Sequence, residues 1–179
     1  NMALTDEQVE RYARHLILKG VGVKGQKRLL ASSVLIIGAG GLGSPVALYL
    51  AAAGVGRIGL VDGDMVDLSN LQRQIIHTTA RVNEPKVESA AAAIRELNPD
   101  VTVDTYYELV DANNIAGLIE AYDLVIEATD NFAAKFLIND ACVLANKPYI
   151  HAGVVGFAGQ VMTVIPGEGP CYRCIFRDM

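Results

Sequence analysis

The chain has 179 residues, of which 51% are hydrophobic and 20% are charged, and its formal net charge is −5. This composition suits one well-buried globular domain, or most of one. Because the net charge is negative and no basic stripe is visible along the chain, the sequence argues against a dedicated nucleic-acid binder.

Cysteine content and hydropathy indicate the cellular compartment and whether the chain meets a membrane. The three cysteines, Cys142, Cys171 and Cys174, are too few and too unevenly placed for a disulfide scaffold, so a reducing compartment and a cytoplasmic location are expected. Residues 29–56 carry no charge and are long enough to span a bilayer, but six glycines and Pro45 interrupt them. A strand–turn–helix unit explains those breaks, so no membrane partner is expected.

Hydrophobic periodicity and turn residues predict alternating helices and strands after two N-terminal helices. Thr5 and Gln8 match a capping box at the start of the first helix. Gly54 stops one later helix, and Pro85 starts the next. In chain order the predicted elements are helices at 5–19 and 24–31, a strand at 33–38, a helix at 45–53, a strand at 57–62, a helix at 85–97, a strand at 101–106, a helix at 112–121, a strand at 123–129, a helix at 132–145, and strands at 148–153 and 159–165.

Strands that alternate with helices of this length form βαβ units and a mostly parallel sheet. We therefore predict an α/β fold: a Rossmann-like, doubly wound sheet with helices on both faces, preceded by N-terminal helices. The last strand is expected near one end of the sheet. The predicted organisation is an N-terminal helical arm at 1–31 and one α/β domain at 32–179.

A glycine-rich motif follows the first predicted strand. Gly38, Gly40, Gly41 and Gly43 satisfy G-x-G-x-x-G between a strand and a helix, and Asp62 ends the next strand. Such glycines let backbone N–H groups approach phosphate at a helix N-terminus, and the acid can accept hydrogen bonds from ribose hydroxyls. The alternative is a tightly packed turn that binds no ligand.

The fingerprint leaves the nucleotide open, and the neighbouring charges favour ATP over a dinucleotide. Phosphoryl chemistry on ATP develops more negative charge than a helix dipole alone can stabilise, and it requires fixed cations and usually Mg²⁺. Arg73 and Lys86 supply cations at the edge of the sheet where ligands bind, Asn70 adds a polar contact, and Asp130 could hold Mg²⁺.

Each of these four residues also has a simpler interpretation. Arg73 could be a surface loop charge, Lys86 a solvated helix residue and Asn70 a turn residue. Asp130 could cap the helix that follows it.

Five motifs together resemble one family. GAGGLGS, LVDGDMVDLSNLQRQ, EPKVESA, ATDNF and CYRC, in this order and spacing, are similar to the ThiF/MoeB family of ubiquitin-activating-enzyme-like adenylyltransferases. The resemblance implies an enzyme that uses ATP and Mg²⁺ to adenylate the C-terminal glycine carboxylate of a ubiquitin-fold sulfur carrier protein ending in Gly-Gly. It also implies a sulfur-donor protein, a homodimer, and a place in thiamine or molybdopterin-type sulfur transfer.

The resemblance implies a role for each matching residue. Gly41 lies at the phosphate turn, together with Gly38, Gly40 and Gly43, and Asp62 binds the ribose. Asn70 and Arg73 contact the phosphates, and Lys86 neutralises charge at the reacting phosphoryl group. Asp130 binds Mg²⁺, and Asn131 beside it belongs to the same nucleotide site. Arg14 matches an arginine that reaches the site from the partner subunit; without the resemblance it would be a surface helix charge.

The cysteines show where the sequence departs from the family. Cys171 and Cys174 form half of a structural zinc site, which needs four ligands. The family has a second pair further along, so Zn²⁺ is expected in a full-length protein and the C-terminal part of the family domain is expected to be absent from this chain. Cys142 is expected in the core. The three histidines are expected to be structural or incidental: His15, His77 and His151.

Two other functions remain open at this stage. An NAD-dependent oxidoreductase would use the glycine motif and Asp62, but it would leave Asn70, Arg73 and Lys86 without a role. A non-catalytic relative could bind the carrier protein as a scaffold.

Overall fold

A computed structural model of the chain describes residues 3–176, which contain eight α-helices, two short 3₁₀ helices and six strands. The strands are β1 (Ser33–Ile37), β2 (Arg57–Val61), β3 (Thr102–Tyr106), β4 (Leu124–Glu127), β5 (Tyr149–Val155) and β6 (Ala158–Val164). The helices are α1 (Asp6–Arg11), α2 (Ala13–Leu16), α3 (Gly22–Ala31), α4 (Gly43–Ala53), α5 (Lys86–Leu97), α6 (Ile115–Glu120), α7 (Phe132–Leu144) and α8 (Tyr172–Ile175).

The six strands form one sheet in the order β3-β2-β1-β4-β5-β6. The strands β1 to β5 are parallel to one another, and β6 pairs antiparallel with β5 at the edge of the sheet. The strand order reverses between β1 and β4. In open α/β sheets of this kind, ligands bind in the crevice beyond the carboxyl ends of the strands at that reversal. The predicted doubly wound sheet and the end position of its last strand are confirmed.

Successive strand residues point to opposite faces of the sheet. Both faces carry apolar side chains, and helices cover them on both sides. On one face Ile36 and Leu60 pack against α4 and α5, and on the other Leu35 and Val125 pack against α6 and α7. Cys142 on α7 is fully buried in the second layer, and this burial raises the pKa of its thiol to about 12. The predicted core position of that cysteine is confirmed.

The prediction of one continuous helix at 5–19 is wrong. The capping box of Thr5 and Gln8 is present, but α1 ends at Arg11 and the chain bends at Tyr12, where φ is −101° and ψ is 14°. The bend buries the Tyr12 side chain, whose hydroxyl accepts a hydrogen bond of 2.8 Å from Asn98 Nδ2. Tertiary packing of this tyrosine therefore outweighs the local helical pattern.

The N-terminal helices lie at the amino edge of the sheet, at the opposite end from the crevice. Gln26 of α3 donates to the Ala53 carbonyl at the end of α4, and Tyr12 packs beside Gly54. Gly54 ends α4 with φ of +87°, as its sequence position predicts. The division into an arm at 1–31 and a domain at 32–179 stays a prediction.

Two smaller differences concern short helices. The helix expected at 112–121 begins only at Ile115, because the Asp111 carboxylate accepts hydrogen bonds from the backbone amides of Asn113 and Asn114 and holds a turn there. The helix α8 was not predicted. Across the part of the chain that the structure describes, no helix is long and apolar enough to cross a membrane.

Candidate functional site

The glycine-rich turn joins β1 to α4 at the reversal of strand order. Gly38 has φ of +103°, and a Cβ at this position would lie 2.6 Å from the Ala128 carbonyl oxygen. A Cβ on Gly43 would lie 1.8 Å from the Gly38 carbonyl oxygen. A side chain at either position would force the backbone apart. Packing alone therefore accounts for these two glycines, as the ligand-free interpretation of the motif requires.

The other two glycines of the motif face the loop that follows β2. A Cβ on Gly40 would lie 3.4 Å from Gln74 Nε2, and one on Gly41 would lie 3.6 Å from Arg73 Cγ. The second distance is an ordinary van der Waals contact, so backbone packing does not demand glycine at position 41. The stretch DLSNLQRQ and the glycine turn, which are separate in sequence, therefore form one surface.

Asp62 connects the end of β2 to the glycine turn. Its Oδ2 atom accepts a hydrogen bond of 2.8 Å from the Ala39 amide, and its Oδ1 atom accepts one of 2.9 Å from the Asp64 amide. The carboxylate is only half-buried, and each oxygen can accept a further hydrogen bond. The residue thus fixes the turn and still offers acceptors to a ribose.

The loop between β2 and α5 is closed at its base, and this closure positions Lys86. Met65 and Pro85 form an isolated β-bridge. Lys86, the first residue of α5, is 6% exposed, and its ammonium donates to Asp64 Oδ2 at 2.9 Å. The interpretation of Lys86 as a solvated helix residue is therefore wrong. The Asp64 side chain is 66% exposed, so the pair lies at the border between protein and solvent.

Asp67 and Asn70 form a reciprocal cap around the short 3₁₀ helix Leu68–Asn70. Asp67 Oδ1 accepts from the Ser69 amide at 2.7 Å, and Asn70 Oδ1 accepts from the Asp67 amide at 3.0 Å. Hydrogen bonds from Ser69 lower the pKa of Asp67. The turn interpretation of Asn70 is confirmed, and it leaves the amide nitrogen of Asn70 available for a phosphate oxygen.

Arg73 lies at the end of this cap with its charge unpaired among residues 3–176. It is exposed, and its Nη1 atom donates to the Ser69 carbonyl at 3.3 Å and to Gln72 Oε1 at 3.1 Å. Both acceptors are neutral. A guanidinium carries five N–H donors, so most of them remain free to bind an anion over Gly41.

Asp130 and Asn131 follow β4, the strand on the other side of the crevice. Asn131 caps α7, because its Oδ1 atom accepts a hydrogen bond of 2.8 Å from the Ala134 amide. The interpretation of Asp130 as that cap is therefore wrong. Asp130 is exposed, and a single carboxylate of this kind suits Mg²⁺, which is bound by one or two carboxylates together with substrate phosphates.

Arg14 does not lie near the other predicted site residues. It is exposed on α2, next to His15, whose Nδ1 atom contacts Gln26 Oε1 at 2.8 Å at the amino edge of the sheet. The glycine turn lies at the carboxyl edge. A role for Arg14 at the nucleotide within one chain therefore does not fit this geometry.

His77 contacts the glycine turn directly, and no motif in the sequence predicts this contact. Its Nε2 atom lies 2.8 Å from the Ala39 carbonyl oxygen, and its Nδ1 atom lies 2.9 Å from Ser89 Oγ on α5. Burial lowers the pKa of His77 below its ordinary value, so the neutral imidazole is favoured. The buried histidine joins the glycine turn to the helix that carries Lys86, and its predicted structural role is confirmed.

A buried charged cluster behind Asp130 was also missed. Glu127 at the end of β4 is fully buried and contacts Lys135 at 3.0 Å and His151 at 2.6 Å. Burial acts to raise the pKa of Glu127, but hydrogen bonds from His151 and Thr129 and the charge of Lys135 outweigh it and lower that pKa. The apolar run DLVIEAT gave a sign of this cluster, since a glutamate inside a buried strand needs partners.

Cys171 and Cys174 lie side by side, with 3.3 Å between their sulfur atoms. Partial burial acts to raise the pKa of Cys171, but hydrogen bonds from Cys174 outweigh it and lower that pKa. Within the described ranges no group of three or more potential metal ligands occurs. Because structural zinc takes four ligands, the residues described provide half of a site and do not fit a complete one.

Comparison with known proteins adds to this geometry. The model of a family described as the ThiF family matches residues 12–179. Over 173 residues the chain is 49% identical to the adenylyltransferase and sulfurtransferase MOCS3 of Arabidopsis thaliana, and the match covers 97% of this chain and 37% of that protein. It is 47% identical over 177 residues to the SAMP-activating enzyme E1 of Haloferax volcanii, covering 99% of this chain and 65% of that enzyme. The chain thus spans only part of either relative.

Solved structures show the same architecture. A crystal structure of E. coli MccB with ATP matches with a TM-score of 0.83 and 30% identity, over 92% of this chain and 50% of that one. The crystal structure of PaaA matches with a TM-score of 0.76 and 32% identity, over 86% of this chain and 50% of that one. The fold therefore agrees with that of a protein crystallised with ATP.

Proposed function

The chain belongs to the ThiF family, and from this premise we propose that it carries the ATP site of an adenylyltransferase. The substrate is the C-terminal glycine carboxylate of a ubiquitin-fold sulfur carrier protein. One observation carries the proposal: Arg73, whose partners within residues 3–176 are neutral, lies over Gly41 of the nucleotide turn. An arginine held there is matched to phosphate and has no part in hydride chemistry.

The proposed reaction needs no general base. A carboxylate oxygen of the carrier attacks the α-phosphorus of ATP, the bond to the bridging oxygen breaks, and pyrophosphate leaves with the electron pair. The nucleophile is already ionised at neutral pH, so no proton has to be removed. The tasks left to the protein are to position the carboxylate and to stabilise the negative charge that spreads over the phosphoryl oxygens.

The residues of the site fit these tasks. The backbone amides of the glycine turn and the N-terminus of α4 receive phosphate oxygens. Arg73 and Lys86 supply fixed positive charge on the side of β2, and Asp62 accepts from the ribose hydroxyls. Asn70 offers its amide nitrogen to the phosphates. The Lys86 ammonium is buried and paired with Asp64, whose side chain is 66% exposed, so a phosphate oxygen would replace that carboxylate as the partner of Lys86.

Mg²⁺ belongs to the same proposal. Asp130 would hold the ion from the side of β4, with Asn131 next to it, and the ion would supply positive charge for the phosphates. Thr129, which precedes Asp130, is hydrogen-bonded within the protein, so the carboxylate would approach the phosphates from a fixed backbone.

Membership of the family supports the partners proposed next. We propose a homodimer in which Arg14 reaches the site of the neighbouring subunit, because its own site lies at the other end of the sheet. A sulfur-donor protein would convert the acyl-adenylate to a thiocarboxylate. Zn²⁺ would bind Cys171 and Cys174 where a longer protein adds a second ligand pair. A cytoplasmic location suits these partners.

Two alternatives are less well supported. An NAD-dependent oxidoreductase would leave Arg73 and Lys86 without a function, and the named relatives are adenylyltransferase and activating enzymes. A non-catalytic scaffold that binds the carrier would have no need for an unpaired arginine at the nucleotide turn.

Mass spectrometry of the carrier protein tests the proposal. The chain is incubated with ATP, Mg²⁺ and a ubiquitin-fold carrier that ends in Gly-Gly, and the carrier is analysed under acidic quench. The expected product is the carrier plus one AMP. Unmodified carrier at every time point, with ATP bound, would instead support the scaffold alternative.

A further inference from the structure

Three atoms of Thr129 are held by the buried cluster at the end of β4. The Thr129 amide and hydroxyl donate to Glu127 Oε1 at 2.8 Å and 2.6 Å. The Thr129 carbonyl accepts a hydrogen bond of 2.7 Å from Lys135 Nζ. One residue of a connecting segment is thus fixed at its nitrogen, its side chain and its oxygen by two oppositely charged side chains.

Those charged side chains are themselves fully partnered. Lys135 Nζ also donates to both Glu127 oxygens and to the Ala152 carbonyl on β5, and His151 contacts Glu127 Oε2. The exposed fractions of the Glu127 and Lys135 side chains are 0% and 8%. Burial of such a pair costs desolvation energy that the attraction between the charges barely offsets. Stability of the sheet alone therefore gives a weak reason for its presence.

Glu127, Lys135 and Thr129 together are called the clamp below, and its position suggests another reason for the buried charges. Thr129 immediately precedes Asp130, which is exposed and makes no side-chain hydrogen bond with the residues described. The same segment borders the nucleotide turn, because a Cβ on Gly38 would lie 3.3 Å from the Thr129 amide nitrogen. The backbone that Thr129 fixes therefore sets the direction in which the Asp130 side chain leaves the chain.

We propose that Glu127 and Lys135, acting through Thr129, are positioning residues that hold Asp130 where it binds a divalent cation. This inference rests on the proposed role of Asp130. Outer contacts that orient a metal-binding side chain commonly change metal affinity by ~10–100-fold when they are removed. Glu127, Lys135 and Thr129 provide the corresponding outer contact for the Asp130 carboxylate, which itself makes no side-chain hydrogen bond within residues 3–176.

A mild substitution tests the clamp without exposing a buried charge. Lys135→Met would leave Glu127 buried and uncompensated and could unfold the chain. Thr129→Val keeps the shape of the side chain and the backbone amide and removes only the hydroxyl donor. Thr129→Ser retains that donor and serves as the rescue. Tyr122→Phe removes a comparable hydrogen bond, of 2.7 Å to Asp104, away from the site and controls for general destabilisation.

The readout is binding of Mn²⁺, a paramagnetic substitute for Mg²⁺, measured by electron paramagnetic resonance in the presence of the α,β-methylene analogue of ATP. Thr129→Val is expected to weaken Mn²⁺ binding about tenfold. Its metal-free affinity for the analogue is expected to stay at the wild-type value, and Thr129→Ser and Tyr122→Phe are expected to match wild type in both measurements.

Asp130→Asn, measured in parallel, separates the two claims. If Asp130→Asn weakens Mn²⁺ binding and Thr129→Val does not, the positioning role is overturned and the metal role of Asp130 stands. Equal weakening by Tyr122→Phe also overturns it, because general destabilisation then explains the loss. If Asp130→Asn binds Mn²⁺ as well as wild type, the metal role itself is wrong and the inference falls with it.

Discussion

The side chain of Arg73 lies over Gly41, with its Cγ atom 3.6 Å from the position that a Cβ of Gly41 would occupy. Among the residues that the structure describes, the guanidinium donates only to neutral acceptors on its own loop. A glycine turn that offers backbone amides and an arginine whose charge is unpaired form a site for more negative charge than a dinucleotide carries. This contact joins the loop after β2 to the turn after β1 and supports triphosphate chemistry.

Removal of either cation should abolish most of the adenylation. We expect Arg73→Ala and Lys86→Met each to lower the rate of ATP–pyrophosphate exchange by about 100-fold or more, because the reacting phosphoryl group loses a fixed counter-charge. Circular dichroism should show an intact fold. Arg95→Ala is the matched control, since Arg95 is exposed on the same helix as Lys86. An exchange rate in Arg73→Ala equal to that of Arg95→Ala would contradict the assigned role.

Asp67 and Asn70 share a turn but should differ in their effect on activity. Asp67→Ala removes a cap and should lower the stability of the fold only slightly. Asn70→Ala removes the reciprocal cap and also the amide proposed to contact the phosphates, so it should raise the half-saturating ATP concentration further. Equilibrium denaturation and exchange kinetics separate the two effects. Equal kinetic losses in both variants would indicate that Asn70 acts through the turn alone.

His77 should make the stability of the fold depend on pH. Its pKa is lowered in the folded state, so near the ordinary value of 6.5 the unfolded chain binds more protons than the folded one. This contribution to stability is complete above that ordinary value and is lost as the pH falls below it toward the lowered pKa. The slope is at most about 1.4 kcal/mol per pH unit.

Urea denaturation of wild type and His77→Gln measures this effect. Wild type should lose more stability than the variant between about pH 7.5 and pH 5.5, since glutamine does not titrate. Parallel pH profiles for the two proteins would show that protonation of His77 is not coupled to folding.

Arg14 should act from the partner subunit. We expect Arg14→Ala and Asp130→Ala to be inactive separately and to regain exchange activity when mixed, because a mixed dimer contains one site with both residues intact. Size-exclusion chromatography with differently labelled subunits should verify that mixed dimers form. Full subunit exchange without any return of activity would rule out the cross-subunit role.

The sequence predicted the framework well because its signals are local. The capping box at Thr5, the left-handed Gly54 and the strand–helix alternation each depend on residues close in sequence. Tyr12 broke the predicted first helix because its partner Asn98 lies far along the chain. The pairing of Asp64 with Lys86 also required the loop closure that brings the two ends of the segment together.

In the candidate site, too, the residues within local motifs were predicted and the contacts between distant residues were not. Asp62, Arg73 and Asp130 were identified from motifs, and the structure places Asp62 and Arg73 in contact with the glycine turn. The contacts that support the site were not foreseen. His77 reaches the Ala39 carbonyl across the fold, and such contacts between separate strands and helices leave no periodic trace in a sequence.

The most direct test of the central claim is isotope exchange between pyrophosphate and ATP with and without a carrier protein. Labelled pyrophosphate is incubated with the chain, ATP and Mg²⁺, together with a ubiquitin-fold carrier that ends in Gly-Gly or the same carrier without its last glycine. We expect label in ATP only with the intact carrier, and exchange lowered by about 100-fold or more with Arg73→Ala. No exchange with the intact carrier, or equal exchange with the shortened one, would contradict the adenylation of a C-terminal glycine.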